Sequence, residues 1–476
     1  MRYLAVDFGS TFTKLTAIDG ADAKILGTAN AFTTIATDVM EGFTAARDML
    51  HAAIGEFQYD KLICCSSAAG GLAMVAVGLV PELTAKAARM AAEGAGAKVV
   101  KTYSYELSVE EQREIHDINP DIILLCGGTD GGNRDVIIAN ARLIAEIDRN
   151  FSIIVAGNKS AVREMEGILQ ASGKRYMVTK NVMPTFGTLN IEPAQTCIRD
   201  IFIERIIDAK GLSRVQEMTE LPIIPTPLAV LKGCELLSLG TKATPGIGEF
   251  MTVDMGGATT DIYSMSKGAP TLDNVILKGL PEPYAKRTVE GDLGMRYSLR
   301  FLLESVGVEN VAETAGARCE EVEAWVDKCA ASPETIASGN SATSGNCAEL
   351  RIDEALARWG ITEAVRRHCG VMEQAYTPMG EIFALTGKDL SAIGNVIGVG
   401  GVLKNSDNPA AILAGAAATP QTRATGRMMP ESPGYMLDKR YIFSAMGLVS
   451  QLDPELALTI MKQEIAPLLP ETSYGN

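Results

Sequence analysis

The chain is poor in aromatic residues, histidine and tryptophan. Of its 476 residues only 5% are aromatic, two are tryptophan and three are histidine. The histidines, His51, His116 and His368, make no pair at helical ligand spacing, which argues against a histidine-based metal centre. Nine cysteines are scattered without any Cys-x-x-Cys pair, most of them in apolar runs such as Leu62-Ile63-Cys64-Cys65. That pattern fits buried, reduced thiols and speaks against a disulfide framework or an iron–sulfur site. Positive charge is in deficit. The formal net charge of −15 weighs against nucleic acids and anionic membrane surfaces as partners. Long apolar runs are missing too, and the longest early one, Gly70 to Val80, is too short to span a bilayer. The chain opens directly into a strand-like run, with no basic segment and no small-residue cleavage site, so the expectation is a cytoplasmic protein.

What the chain does have is glycine, and two glycine-rich turns look alike. The first is Asp7-Phe8-Gly9-Ser10-Thr11-Phe12-Thr13-Lys14 and the second Asp254-Met255-Gly256-Gly257-Ala258-Thr259-Thr260-Asp261. Apolar, strand-like runs flank both: Tyr3 to Val6 and Leu15 to Ile18 around the first, Phe250 to Val253 and Ile262 to Met265 around the second. Each therefore predicts a β-hairpin with a tight turn. Glycine lets backbone N–H groups come close to a ligand, and successive N–H groups in a turn make a nest for an anion. Ser10, Thr11, Thr13, Thr259 and Thr260 add hydroxyls, and Lys14 adds a point charge suited to a phosphate oxygen. Asp7 and Asp254 would repel phosphate unless a cation lay between, and Mg²⁺ held through its waters answers that need. Either turn alone also reads as an ordinary hairpin with a glycine bulge. Both together, in matching contexts, suggest two similar half-domains facing a phosphate. A third element, Asn395 to Leu403, is an apolar strand running into Gly398, Gly400 and Gly401, then Val402 and Leu403, and suits close approach to a flat base or ribose.

The length predicts more than one domain. Strands and helices alternate. A strand at Lys61 to Cys65, an Ala-rich helix at Leu83 to Gly94, a capping box at Ser108–Glu111, a strand at Asp121 to Cys126 and a helix at Asp135 to Arg149 follow one another. This implies a parallel or mixed sheet covered by helices, with ligands beyond the carboxyl ends of its strands, near Thr129 and Asp130. Ser264 to Gly279 is expected to complete a second meander, Arg287 to Gly294 to lead into a helix, and 308–360 to be helical with a glycine-serine loop at 338–346. Arg366-Arg367-His368 reads as a solvated helix face.

The three elements, in this order, resemble phosphate-1, phosphate-2 and the adenosine motif of the actin, Hsp70 and sugar-kinase ATPase superfamily. Ile224 to Gly233 resembles the first connecting helix of that fold, and Ala445-Met446-Gly447-Leu448 the second. The resemblance implies an α/β chain of two ribonuclease H-like half-domains, mixed five-stranded sheets flanked by helices, around a nucleotide cleft. It implies an N-terminal half-domain at 1–240 with an insertion at about 68–118, a C-terminal half-domain at 241–444 with a helical insertion at about 308–360, and closing helices at 445–476. ATP and Mg²⁺ are the implied cofactors. Asp7 and Asp254 would be the catalytic and Mg²⁺-holding residues. Gly9, Ser10, Thr11, Thr13, Lys14, Gly256, Gly257, Ala258, Thr259 and Thr260 would hold phosphate. Gly398, Gly400, Gly401, Val402 and Leu403 would hold adenosine. In one respect the chain departs from the pattern: Ile224 stands where the superfamily carries a polar residue that orients the attacking water.

The opening twelve residues from Tyr3 to Lys14, the segment Ser66 to Leu79 and the phosphate-2 segment resemble, more narrowly, the MutL family of accessory proteins encoded beside adenosylcobalamin-dependent glutamate mutase. That family is unrelated to the mismatch-repair protein of the same name. The resemblance implies a cytoplasmic, chaperone-like ATPase that reactivates a mutase of this type by letting damaged cobalamin leave. No Asp-x-His-x-x-Gly motif occurs, so the chain itself is not expected to hold cobalamin. Two other readings stand beside this one. One is a small-molecule kinase of the same fold, with Asp130 as its base. The other is a nucleotide-dependent scaffold without hydrolysis, which Ile224 favours.

Overall fold

A computed structural model describes residues 1–468 except 35–36, 68–71, 211, 220, 334, 336–347 and 378–379, with the backbone alone at 206–210 and 377. The loop expected at 338–346 and the 68–71 portion of the segment beginning at Ser66 lie outside the described residues. The chain divides into two units.

Unit one is Met1–Gly233 with Phe443–Ile460. Its strands are β1 (Arg2–Phe8), β2 (Phe12–Asp19), β3 (Lys24–Phe32), β4 (Lys61–Ser66), β5 (Ala73–Gly78), β6 (Lys98–Ser104), β7 (Ile122–Leu125), β8 (Ser152–Val155), β9 (Arg175–Val178) and β10 (Ile224–Pro225). The first three make the expected meander. They join β4 and β10 in a mixed sheet ordered β10-β4-β1-β2-β3, antiparallel among β1, β2 and β3 and parallel from β1 to β4 to β10. A second sheet, β6-β5-β7-β8-β9, is parallel throughout. Its central strands are short, unbroken apolar runs, as burial on both faces requires, and Ile122 to Leu125 are all fully buried. Helix ends follow local chemistry. Asp38 accepts from Met40 N at 2.9 Å to start Val39–Ile54. The Ser108–Glu111 capping box forms as predicted, with Glu111 N donating to Ser108 Oγ at 3.2 Å and Ser108 N donating to Glu111 Oε2 at 2.8 Å.

Unit two is Cys234–Ile442 with Met461–Asn476. Its strands are β11 (Phe250–Met255), β12 (Thr260–Met265), β13 (Val275–Lys278), β14 (Ala285–Glu290), β15 (Val371–Thr377), β16 (Gly380–Thr386), β17 (Asn395–Val399), β18 (Gly434–Asp438) and β19 (Ile465–Pro467). The main sheet runs β14-β12-β11-β17-β18-β19. Its first five strands repeat the order and the strand senses of the mixed sheet in unit one, and β19 adds a sixth, antiparallel edge. The two mixed sheets, flanked by helices, are the α/β architecture expected.

The third strand of the second meander is not in Ser264 to Gly279. It is β14, and β13 pairs instead with β16 in a separate three-stranded sheet. Lys286 and Arg287 disguise β14 as a polar segment, although both are buried. Their charges are answered inside the fold: Lys286 Nζ donates to His368 O at 2.8 Å, and Arg287 Nε to Asp261 Oδ1 at 2.8 Å. The segment after β14 does not enter a helix until Leu299.

Within unit one, the helix that follows β10 (Thr226–Leu239) meets the helix Phe443–Val449 through glycine. A Cβ on Gly447 would stand 1.7 Å from Ala229 O, and one on Gly233 would stand 2.6 Å from Phe443 O. Alanine is a better helix former than glycine by roughly 1 kcal/mol, so Gly447→Ala would stabilise an open helix. Here it should instead destabilise the protein by about 2 kcal/mol or more, as an earlier urea midpoint. Gly167→Ala, on the helix Val162–Ala171 with nothing within 4 Å of the new carbon, should move the midpoint the other way.

Candidate functional site

The two aspartate-led turns are built alike, residue for residue. In unit one, Asp7 faces Lys14 across the β1–β2 hairpin, and Gly9 N donates to Phe12 O at 3.1 Å to close the turn. In unit two, Asp254 faces Asp261, and Gly256 N donates to Thr259 O at 2.9 Å. On the other side, Asp7 lies beside Cys65 of β4, and Asp254 beside Val399 of β17.

Each aspartate is held by a hydroxyl from the stretch that follows the fifth strand of its sheet. Thr226, just past β10, donates to Asp7 Oδ1 at 2.6 Å. Tyr441, just past β18, donates to Asp254, with its oxygen 3.2 Å and 3.4 Å from the two carboxylate oxygens. Neither residue stands out in the sequence as a site residue. Thr226 falls in a quoted motif but carries no role there. Tyr441 gives no signal, because its backbone is left-handed, with φ 58°, where a bulky residue is not expected.

The second turn is supported from behind. Met295 N donates to Gly256 O at 3.1 Å, and Arg296 N and Tyr297 N to Gly257 O at 2.8 and 2.9 Å. Ser298 Oγ lies 2.8 Å from both Ala258 O and Gly291 O. The backing segment is anchored in turn: the Arg296 guanidinium lies 3.1 Å from each oxygen of buried Asp353, which also accepts from Trp325 Nε1 at 3.1 Å. With its carbonyls occupied, the turn presents the amides of Gly257, Ala258 and Thr259, which donate no hydrogen bond among the described residues. The amides of Ser10 and Thr11 are in the same condition. Such amides are the parts of an anion nest.

The hydroxyls divide into two groups. Ser10 is exposed, and Thr11 and Thr259 are half-buried at the turns, Thr259 Oγ1 donating to Asp261 Oδ2 at 3.2 Å. Thr13 and Thr260 are fully buried and committed elsewhere, Thr13 to Thr33 Oγ1 at 3.0 Å and Thr260 to Leu293 O at 2.6 Å. The third motif comes to the second turn. Gly400, with φ 113°, passes so close to the end of β11 that a Cβ there would stand 2.2 Å from Met255 O. Gly398 packs on Leu403 and Leu413, and Leu403 is buried, whereas Gly401 is exposed and Val402 half-buried.

Asp7 in unit one and Asp254 in unit two each have, taken singly, the chemistry that a hydrated hard cation accepts. They are carboxylates at the mouths of amide-lined turns, and among the described residues no group of three acidic, histidine or cysteine side chains forms a dry cage. Cys65 is a bystander: burial first, and the Asp7 carboxylate second, push its thiol well above the ordinary value, so it stays protonated.

Other expectations are relocated. Asp130 belongs to the parallel sheet of β5–β9, where Oδ1 accepts from Lys159 N and Asn181 Nδ2, both at 3.0 Å. It builds the turn there. Arg366-Arg367-His368 is not a solvated face. Arg367 reaches Glu290 at 2.9 Å, Asp292 at 2.8 Å and Glu363 at 2.7 Å. Burial alone would raise the Asp292 carboxyl, but the hydrogen bonds and charge of Arg367 outweigh it and hold it below its usual value. His368 is fully buried between Thr288 Oγ1 and Ser264 Oγ, each at 2.8 Å.

The comparisons with known proteins agree with the family resemblance read in the sequence. The model of the MutL protein family matches residues 3–465. The chain belongs to the MutL family. It is 47% identical to the curated "Protein MutL" of Clostridium tetanomorphum over 463 residues, 97% of this chain and 98% of that one. Among solved structures it is similar, at a TM-score of 0.30 and 10% identity, to an activator of 2-hydroxyisocaproyl-CoA dehydratase from Clostridium difficile with bound ADPNP, covering 99% of this chain and 100% of that one. A glycerol kinase from Plasmodium falciparum with ADP gives 0.35 and 11%, covering 99% and 94%. Among the described residues no helix is long and apolar enough to cross a membrane.

Beside His368 lies Lys388, whose Nζ donates to Tyr284 O at 2.6 Å. Burial first, and neighbouring Lys286 second, pull its ammonium down to about 7, against the opposing charges of Glu282 and Glu249. The folded state therefore holds fewer protons than the unfolded one between pH 7 and the ordinary lysine value, and stability rises with pH across that interval. Lys388→Met should flatten that rise, measured as unfolding free energy in urea at pH 7, 8, 9 and 10.

Proposed function

We propose that this chain binds ATP with Mg²⁺ and hydrolyses it, acting as an accessory factor that reactivates an adenosylcobalamin-dependent mutase of the glutamate mutase type by exchange of damaged cobalamin. The observation that carries the nucleotide part is the repetition of one aspartate-led, amide-presenting turn in the two units, with Asp7 and Asp254 in the same register. The mutase part rests on membership of the MutL family.

In this reading the amides of Ser10 and Thr11 and those of Gly257, Ala258 and Thr259 hold phosphate oxygens, aided by Lys14. Exposed Gly401 and half-buried Val402 offer the face for adenosine, while Gly398 and Leu403 shape it from within. Asp7 and Asp254 hold Mg²⁺ through its waters, and the ion offsets charge on the phosphates. Thr13 and Thr260 fix the hairpins and leave ligand contact to their neighbours. Ile224, buried and apolar in β10, cannot orient a water. Turnover in the chain alone is therefore slow, and contact with the mutase accelerates it.

The test is ATP turnover with Mg²⁺, alone and with a mutase inactivated by cyanocobalamin, while release of the cobalamin is followed. Turnover coupled to release is the expected result. ATP binding with neither turnover nor release would leave a nucleotide-dependent scaffold. Asp254→Ala should abolish Mg²⁺-dependent turnover with an unchanged circular dichroism spectrum, and a rate equal to wild type would remove Asp254 from the site.

A further inference from the structure

We propose that Tyr441 is a positioning residue for Asp254, and that its left-handed backbone is retained for the sake of its hydroxyl. The inference rests on the reading of Asp254 as a residue of the Mg²⁺–ATP site, and it assigns the control of metal binding there to Tyr441.

The turn that carries Tyr441 is built from the end of β18. Asp438, 2% exposed, accepts from Arg440 N at 3.2 Å and from Ile442 N at 2.7 Å. These bonds fold residues 438–442 back on themselves and leave Tyr441 at φ 58°. Glycine adopts that conformation without steric cost, whereas a side chain with a Cβ does so only under strain. A tyrosine in such a place needs a compensating contact, and it makes one. Its phenol oxygen bridges both oxygens of Asp254, at 3.2 and 3.4 Å. A donor shared between both oxygens sets the plane of the carboxylate as well as its direction.

Unit one supports the same logic by a different route. There Thr226 donates to one oxygen of Asp7 at 2.6 Å from the start of a helix, with no left-handed residue. A hydroxyl on the leading aspartate is thus common to both sheets, while the side chain that supplies it differs. A carboxylate already held in one orientation loses less freedom when a hydrated cation arrives, so its binding is stronger.

The experiment is titration calorimetry of the full chain with ATP, with and without Mg²⁺, on wild type, Tyr441→Phe and Tyr441→Gly, with thermal unfolding of each. Wild type should bind ATP more tightly with Mg²⁺. Tyr441→Phe should lose about tenfold of the Mg²⁺–ATP affinity and leave metal-free ATP binding unchanged. Tyr441→Gly, which suits the backbone, should show the same selective loss, so that misfolding of the phenylalanine variant cannot hide the effect. A Tyr441→Phe protein with the wild-type ratio of the two affinities would overturn the proposal, because the ring alone would then suffice. A wild-type protein whose ATP binding ignores Mg²⁺ would instead remove the metal reading of Asp254, and the proposal with it.

Discussion

A carboxylate at the head of a tight turn has to be answered by a donor, and this chain answers it twice. Thr226 on Asp7 and Tyr441 on Asp254 tie each glycine-rich hairpin to the stretch after the fifth strand of its own sheet. The rest of each mixed sheet serves that contact. The parallel step from β1 to β4 to β10 brings Thr226 to Asp7, and the step from β11 to β17 to β18 brings Tyr441 to Asp254. A hydrogen bond to a charged group is worth roughly 1.5–3 kcal/mol. The 2.6 Å bond from Thr226 to Asp7 is of that kind, while the Tyr441 contact, at 3.2 Å, is longer and weaker.

The repeated frame carries different chemistry in its two copies. Opposite Asp7 stands the cation Lys14, while opposite Asp254 stands Asp261, whose charge is taken up by Arg287 at 2.6 Å. The second turn therefore relies on its backbone amides and on the segment 295–298 behind them. Ile224 faces Cys65 across β10 and β4. The corresponding place in unit two, one residue beyond Leu437, is Asp438, which folds the turn of Tyr441. Where unit one has the apolar Ile224, unit two has a carboxylate with a structural task.

Both hairpins, the third glycine motif, the meander of β1–β3 and the Ser108 capping box were legible in the sequence because each depends on local spacing. What escaped depends on distant partners. β14 was hidden because Lys286 and Arg287 look like surface residues, and His368 O and Asp261, far away in the chain, join nearby Glu282 in making their burial tolerable. His368 looks like a surface residue for the same reason: it ends the helix Ala348–His368, and its partners Ser264 and Thr288 lie on β12 and β14. Thr13 and Thr260 sit in the turn motifs, but both are buried, and Thr33 Oγ1 and Leu293 O, just outside the strands, engage their hydroxyls. Tyr441 could not be read at all. Nothing in its neighbours announces a left-handed tyrosine.

The way the chain is divided has a consequence for its synthesis. Unit one needs Phe443–Ile460, and unit two needs Met461 onward for the strand β19. Neither can be completed as a contiguous product on the ribosome, because each waits for a piece that follows residue 442. The glycine contact of Gly447 with the Ala229 backbone is among the last to become available to unit one. Both halves therefore reach their final form only after residues 443–467 have been made, and a nascent chain stalled before residue 443 would present two incomplete bodies to the cell's folding machinery.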